Sequence, residues 1–172
     1  MDVTEAIRSR RSVRRYEARG VSREMLLQLM EAACWAPSAG NMQTWKFVAI
    51  TDPGRLRKLR MVSPGLIGDP PAAIIVCENV AESLRRAGEA GSAMATVMDA
   101  AMAAFAICLQ AHAEGFGTCL VGSFNPQAVA RLVHLPEGME AKLVISVGYP
   151  AVVPKAPPRK TEGVYHFEVY DG

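Results

Sequence analysis

A chain of 172 residues, half of them apolar and 21% charged, is globular and not disordered, and at this length it is most simply one domain, residues 1–172. The net charge of only +2 argues against a general binder of polyanions. Four scattered cysteines (Cys34, Cys77, Cys108, Cys119) without a C-x-x-C pair, and three separated histidines, offer no zinc spacing. Each cysteine lies in an apolar run, so buried free thiols are the expectation. The start "MDVTEAIRSRR" has no apolar signal core, which points to a cytoplasmic protein. The most apolar stretch, 93–113, is interrupted by Asp99, Gln110 and His112 and reads as a buried core helix, so no membrane is expected.

In chain order, a short helix is expected from a cap near Thr4. A second follows Ser22 as N-cap, with Met25, Leu26, Leu29, Met30, Ala33 and Cys34 at helical spacing, and ends by Pro37. "WKFVAIT" (45–51) reads as a strand, and "DPGRLRKL" as a short basic helix with Asp52 as cap and Pro53 at its first position. A turn-rich loop precedes "AAIIVCE" (72–78), a continuous apolar run that suits a strand covered on both faces. Residues 79–92 are polar and read as mobile. A long helix is expected from about Ser92 to Glu114, roughly 35 Å at 1.5 Å per residue, with Met94, Val97, Met98, Ala101, Met102, Phe105, Cys108 and Leu109 in a stripe assigned to core packing. Then come a glycine-broken strand (115–124), a helix begun by Asn125 and Pro126, a strand (141–150) and a proline-stiffened, extended tail. Helices outnumber strands without alternating strictly, so the class is α+β.

Four stretches carry candidate chemistry. Residues 1–23 hold seven Arg, and "RSRRSVRRY" puts Arg10, Arg11, Ser12 and Arg14 where a helix ends. Arginine forks and a hydroxyl suit a phosphate dianion; a solvated basic face is the plain alternative. In "APSAGNMQTW", Pro37 stiffens the backbone, while Ser38, Asn41 and Gln43 suit a planar heterocycle with carbonyl and imide edges. A self-capping loop would use the same residues. "GFGTCLVGSF" lets backbone approach a flat ligand but lacks dinucleotide-fold spacing; otherwise it is a tight turn. "PPRK" adds Arg159 and Lys160. No nucleophile elbow, paired-carboxylate motif or P-loop is visible, so an enzyme built this way borrows its reactive group from a cofactor.

Together, in order and spacing, these four segments resemble the nitroreductase family of FMN-dependent oxidoreductases over essentially the whole chain. The resemblance implies an α+β fold, a mixed sheet flanked by helices with a long central helix. It implies an intertwined homodimer with two FMN sites at the interface and exchanged tails. Arg10, Arg11 and Ser12 would hold the phosphate, and Arg14 the ribityl and pyrimidine side. Pro37, Ser38, Ala39, Asn41 and Gln43 would reach the flavin of the other subunit. Leu120, Val121, Gly122 and Ser123 would lie against the isoalloxazine, with a backbone N–H near Gly122 facing N5. Arg159 and Lys160 would be late phosphate contacts. NADH or NADPH would deliver hydride to N5, and a nitroaromatic, quinone or similar small molecule would take the electrons. No side chain is assigned as catalytic. The chain is short for the family, being compact at 52–71 and 79–92, where larger members wall the pocket with extra helices. An FMN carrier or sensor without turnover, reductive dehalogenation or flavin fragmentation, and a nucleic-acid module built on "RSRRSVRR" are the competing readings.

Overall fold

The structure, a computed structural model, describes residues 1–170. Helix α1 (Val3–Ser9) starts two residues earlier than expected, because Asp2 and not Thr4 is its cap: the Asp2 carboxylate accepts the Glu5 N–H at 2.9 Å. Helix α2 (Arg23–Cys34) has Ser22 as cap, accepting from Met25 N–H, as its spacing predicts. Strand β1 (Trp45–Ile50) and helix α3 (Pro53–Met61, capped by Asp52) fall where expected.

Strand β2 (Ala72–Asn79) is buried on both faces along nearly its whole length. It runs directly into α4 (Val80–Ala113), so residues 80–92 are helical and not loose as expected. Asn79 caps the helix by accepting Glu82 N–H, and the polarity of 80–92 belongs to a half-exposed helix face. Gly88 (φ 70°, ψ 178°) breaks the helical path inside this span, separating a short first limb from the apolar second limb. Strand β3 (Gly117–Val121) is shorter than the expected 115–124. Helix α5 (Pro126–Leu132) and strand β4 (Met139–Gly148) complete the fold.

The strands lie in the order β1-β2-β4-β3, all antiparallel. Outside these strands, an isolated parallel bridge joins Ser12 to Thr118 at the β3 edge. Each face of the sheet has its own core. On one, Leu26 and Leu29 of α2 and Ala100, Ala103, Ala104 and Ile107 of α4 pack on Ile74, Val76 and Ile145. On the other, Leu56 and Leu59 of α3 and Val129 of α5 pack on Ile75 and Val144. Each fully buried Leu or Ile contributes on the order of 1.5–3 kcal/mol.

Length and composition would let α4 cross a membrane, but its alanine-rich face lies along the sheet. That placement overturns one expectation. Met94 (64% exposed), Val97, Met98, Ala101, Met102 and Phe105 (41% exposed) point outward instead of into the core, Leu109 is half-buried, and Cys108 of the stripe is buried as expected. The physical reason is size: alanines let helix and sheet approach closely, so the bulky face is turned away. Cys77, Cys108 and Cys119 are buried free thiols as expected, whereas Cys34 is exposed at the end of α2. The tail after Pro150 is extended and exposed, and Phe167 is 89% exposed.

Candidate functional site

The first cluster is made where α1 ends. Arg10 N–H still bonds to Ala6 C=O, and the chain then turns extended to run beside β3, with Val13 N–H donating to Thr118 C=O at 2.8 Å. Gly117 permits this approach, since a Cβ there would lie 2.7 Å from Val13 side-chain carbons. The Tyr16 hydroxyl donates to Val13 C=O and pairs with the Ser146 hydroxyl, each at 2.6 Å. Burial raises the Tyr16 phenol well above its ordinary range, so it serves as a neutral strut.

On this edge, the predicted anion-binding residues are not equivalent. Arg11 donates to Arg8 C=O (2.7 Å) and Arg10 C=O (2.8 Å), so part of its guanidinium closes the end of α1. Arg10 has a buried Nε with no partner, and the half-buried Ser12 hydroxyl has none among the described residues. Arg14 is exposed. Burial, then the Arg10 and Arg11 charges, hold His112 below the usual imidazole range. The Ser9 hydroxyl donates to Glu5 C=O, so its contact with His112 at 2.7 Å has the imidazole Nε2–H as donor. Leu120 near the end of β3 and Gly122 and Ser123 just beyond it are exposed, and the space where a Gly122 side chain would stand is open. Val121 differs: its side chain is buried in the lower core, leaving only its backbone available.

The second cluster is the loop between α2 and β1. A single 3-10 turn (Ala39–Asn41) carries three left-handed residues in its vicinity, Gly40 (φ 54°), Asn41 (φ 52°) and Gln43 (φ 52°). Two of them lack glycine's freedom, so the shape costs energy that surrounding bonds offset. Ala39 N–H reaches both Asp99 oxygens (3.1 and 3.2 Å), Gln43 N–H donates to the Ser38 hydroxyl (3.2 Å), and Gln43 Nε2 donates to Asn41 Oδ1 (2.8 Å). Arg86 donates to Met42 C=O, and Thr44 donates to the buried Glu78. The loop is therefore partly self-satisfied, but Asn41 Nδ2 and Gln43 Oε1 remain available. Pro37, Ser38 and Ala39 line one end of an apolar groove of about 410 Å³ with Met94, Met98 and Met102. A larger cavity of about 530 Å³ near Arg19, Arg57 and Asp69 contains none of these residues.

The structure thus brings "RSRRSVRRY" and "GFGTCLVGSF" together at the β3 edge and puts "APSAGNMQTW" at the β1 edge. Three strand spacings of about 4.8 Å separate those edges, about 14 Å in all. Arg159 and Lys160 stand in the exposed tail and make no hydrogen bond or ion pair within the described residues. Sequence reasoning missed Glu78 and Asp99 as supports of the loop. The available signal was an acid embedded in an apolar strand and another in an apolar helix.

An α+β fold with a basic, donor-rich edge and an amide-bearing loop at the opposite edge defines the class. A profile of the nitroreductase family matches residues 7–63 and 58–149, and the chain belongs to that family. It is 34% identical over 160 residues to a Methanothermobacter thermautotrophicus protein provisionally named NADH dehydrogenase/NAD(P)H nitroreductase, covering 90% of this chain and 80% of that one. It is 26% identical over 185 residues to the FMN reductase [NAD(P)H] of Bacillus subtilis, covering 98% and 74%. Among solved structures, a similarly named Bacteroides thetaiotaomicron protein superposes with a TM-score of 0.85 at 28% identity, covering 97% of each chain.

Proposed function

We propose that this chain is a cytoplasmic FMN-dependent NAD(P)H oxidoreductase, one domain per subunit, working as a homodimer with a site at each interface. The carrying observation is the separation of two half-sites to opposite edges of the sheet, each with unused hydrogen-bonding groups. One subunit's phosphate-binding edge and another's amide loop make a complete site only if the chains pair. The outward Met94–Phe105 stripe gives such a pair an apolar surface, and the exposed tail offers a strap across the partner. The relatives' names, FMN reductase and NAD(P)H nitroreductase, support the same cofactor and reductant.

The residues fit FMN. An orphaned buried Arg10 Nε and the unpartnered Ser12 hydroxyl suit the phosphate, and the open backbone at Gly122 suits a flat ring. Bound FMN supplies two-electron hydride chemistry at its N5. The protein's part is position and field. Arg10 and Ser12, with the spare donors of Arg11, fix the phosphate, and Arg159 and Lys160 of the tail add cations there. Arg14 brings an exposed positive charge to the pyrimidine side, favouring negative charge on the ring. Leu120 and the backbone of Val121, Gly122 and Ser123 bound one side of the ring plane. Pro37, Ser38, Ala39, Asn41 and Gln43 of the other subunit close the site with amide donors and acceptors. The acceptor is a small molecule of nitroaromatic or quinone type.

An absorbance spectrum of the purified protein, then anaerobic addition of NADH and of NADPH, tests this reading. Flavin bands that bleach and return with a quinone or nitroaromatic are expected. Flavin bands untouched by either nucleotide would instead identify a carrier or sensor, and failure to take up FMN would overturn the reading.

A further inference from the structure

The amide loop rests on two buried carboxyl groups that the reading above does not use. Glu78 lies near the end of β2 with none of its surface exposed, in register with Trp45 of β1. Its Oε2 accepts the Thr44 hydroxyl at 2.7 Å, while Oε1 has no partner among the described residues. Asp99, nearly as buried, is committed to Ala39 N–H through both oxygens. The two carboxyls therefore grip opposite ends of the strained span 39–44. A buried carboxylate with one oxygen unpaired, beside a second carboxylate, is among the costlier arrangements a core can hold. Asp99 accepts the Ala39 N–H on both oxygens, whereas one oxygen of Glu78 is left unpartnered among the described residues, so burial favours the protonated form of Glu78.

We propose that Glu78 is a positioning residue that holds loop 38–44 in its left-handed shape while it is the neutral acid, and that loss of its proton to solvent loosens the loop and weakens flavin binding. This inference rests on the placement of that loop at the flavin of the other subunit. The charged groups around Glu78 are known from each packed element. The hydrogen bond from Thr44 favours its ionisation, Asp99 of α4 opposes it, and Lys142 of β4 and Lys46 of β1 favour it more weakly; Glu140, in register with Glu78 on β4, is exposed. Lys142 is already paired with Glu140, and Lys46 is exposed. Burial is the larger influence and pushes the Glu78 carboxyl up to about 7, so the switch falls near neutrality. The folded state then binds more protons than the unfolded chain from the ordinary glutamate range up to that value. The loop's stability is full below the ordinary glutamate range, falls as pH rises from there to about 7, and stays low above it.

The test is amide exchange of residues 39–44 in the dimer at about pH 6 and about pH 8, corrected for base-catalysed intrinsic exchange, for the wild type and Glu78→Gln. The expected result is a loss of protection of about five- to tenfold in the wild type and none in E78Q. No loss in the wild type, or the same loss in E78Q, would overturn the switch. Should E78Q fail to fold, the carboxyl carbon of Glu78 is followed by NMR in the wild type and in Asp99→Asn. A midpoint near neutrality that moves down in D99N supports the proposal, and a wild-type midpoint in the ordinary glutamate range refutes it. FMN titrations at both pH values separate the two ideas. A loop that loosens without any change in FMN affinity leaves the switch standing and removes the loop from the flavin.

Discussion

Arg10 holds its Nε out of water with no partner among the described residues, an arrangement that the proposed phosphate would relieve. Its neighbour Arg11 spends two contacts on the end of α1, so in the proposed site Arg10 is the one left for the ligand. Arg10→Ala should therefore remove a charge-assisted contact of about 1.5–3 kcal/mol and weaken FMN binding about ten- to a hundredfold. Fluorescence titration with FMN reads this directly, and an unchanged affinity would take Arg10 out of the site. Arg11→Ala should have a smaller effect on affinity, because part of that side chain closes a helix. The distinction between them was not legible in "RSRR", since both present the same fork. It follows from where α1 stops and from which carbonyls lie within reach.

At the element scale, the amide loop is a short connection with a fixed and costly shape. Its residues at positive φ, Asn41 and Gln43, are the kind that tolerate that region best after glycine. Asn41→Gly keeps the left-handed backbone available and deletes the amide. It should weaken FMN binding about two- to tenfold, the worth of one neutral hydrogen bond, with little loss of thermal stability. Calorimetric FMN titration beside a melting curve separates that outcome from general damage. Elements with strong local rules were legible: Ser22, Asp52 and Asn125 all cap the helices their spacing announced. The run 79–92 was not. Its polarity resembled a loop, but Asn79 capping and a half-exposed face make it helical up to Gly88. Composition cannot distinguish a polar loop from a polar helix face when the helix begins at a strand's last residue.

For the whole molecule, the decisive feature is the outward stripe of α4. Met94, Met98 and Met102 share a groove with Pro37, Ser38 and Ala39, so the apolar face adjoins the loop that would serve the other subunit. Under the proposed pairing, a contact surface and a half-site next to each other would couple association to flavin binding. Met98→Glu with Met102→Glu should turn the dimer into a monomer and carry FMN affinity down with it, because charged side chains do not desolvate into an apolar interface. Sedimentation velocity alongside FMN titration checks both effects. A monomer with full affinity would place both half-sites on one chain and end the shared-site picture.

By itself the sequence determined the nitroreductase family, the α+β class and most element boundaries. These rest on local rules: caps, prolines, apolar periodicity and four motifs in order. Tertiary structure decided what local rules do not encode. It set the two motif groups at opposite edges of one sheet, because strand order depends on long-range pairing. It turned the methionine face of α4 outward, because alanines pack closer to the sheet. It also buried Glu78 and Asp99 beneath the amide loop, because an acid's neighbours are fixed only when strand and helix meet.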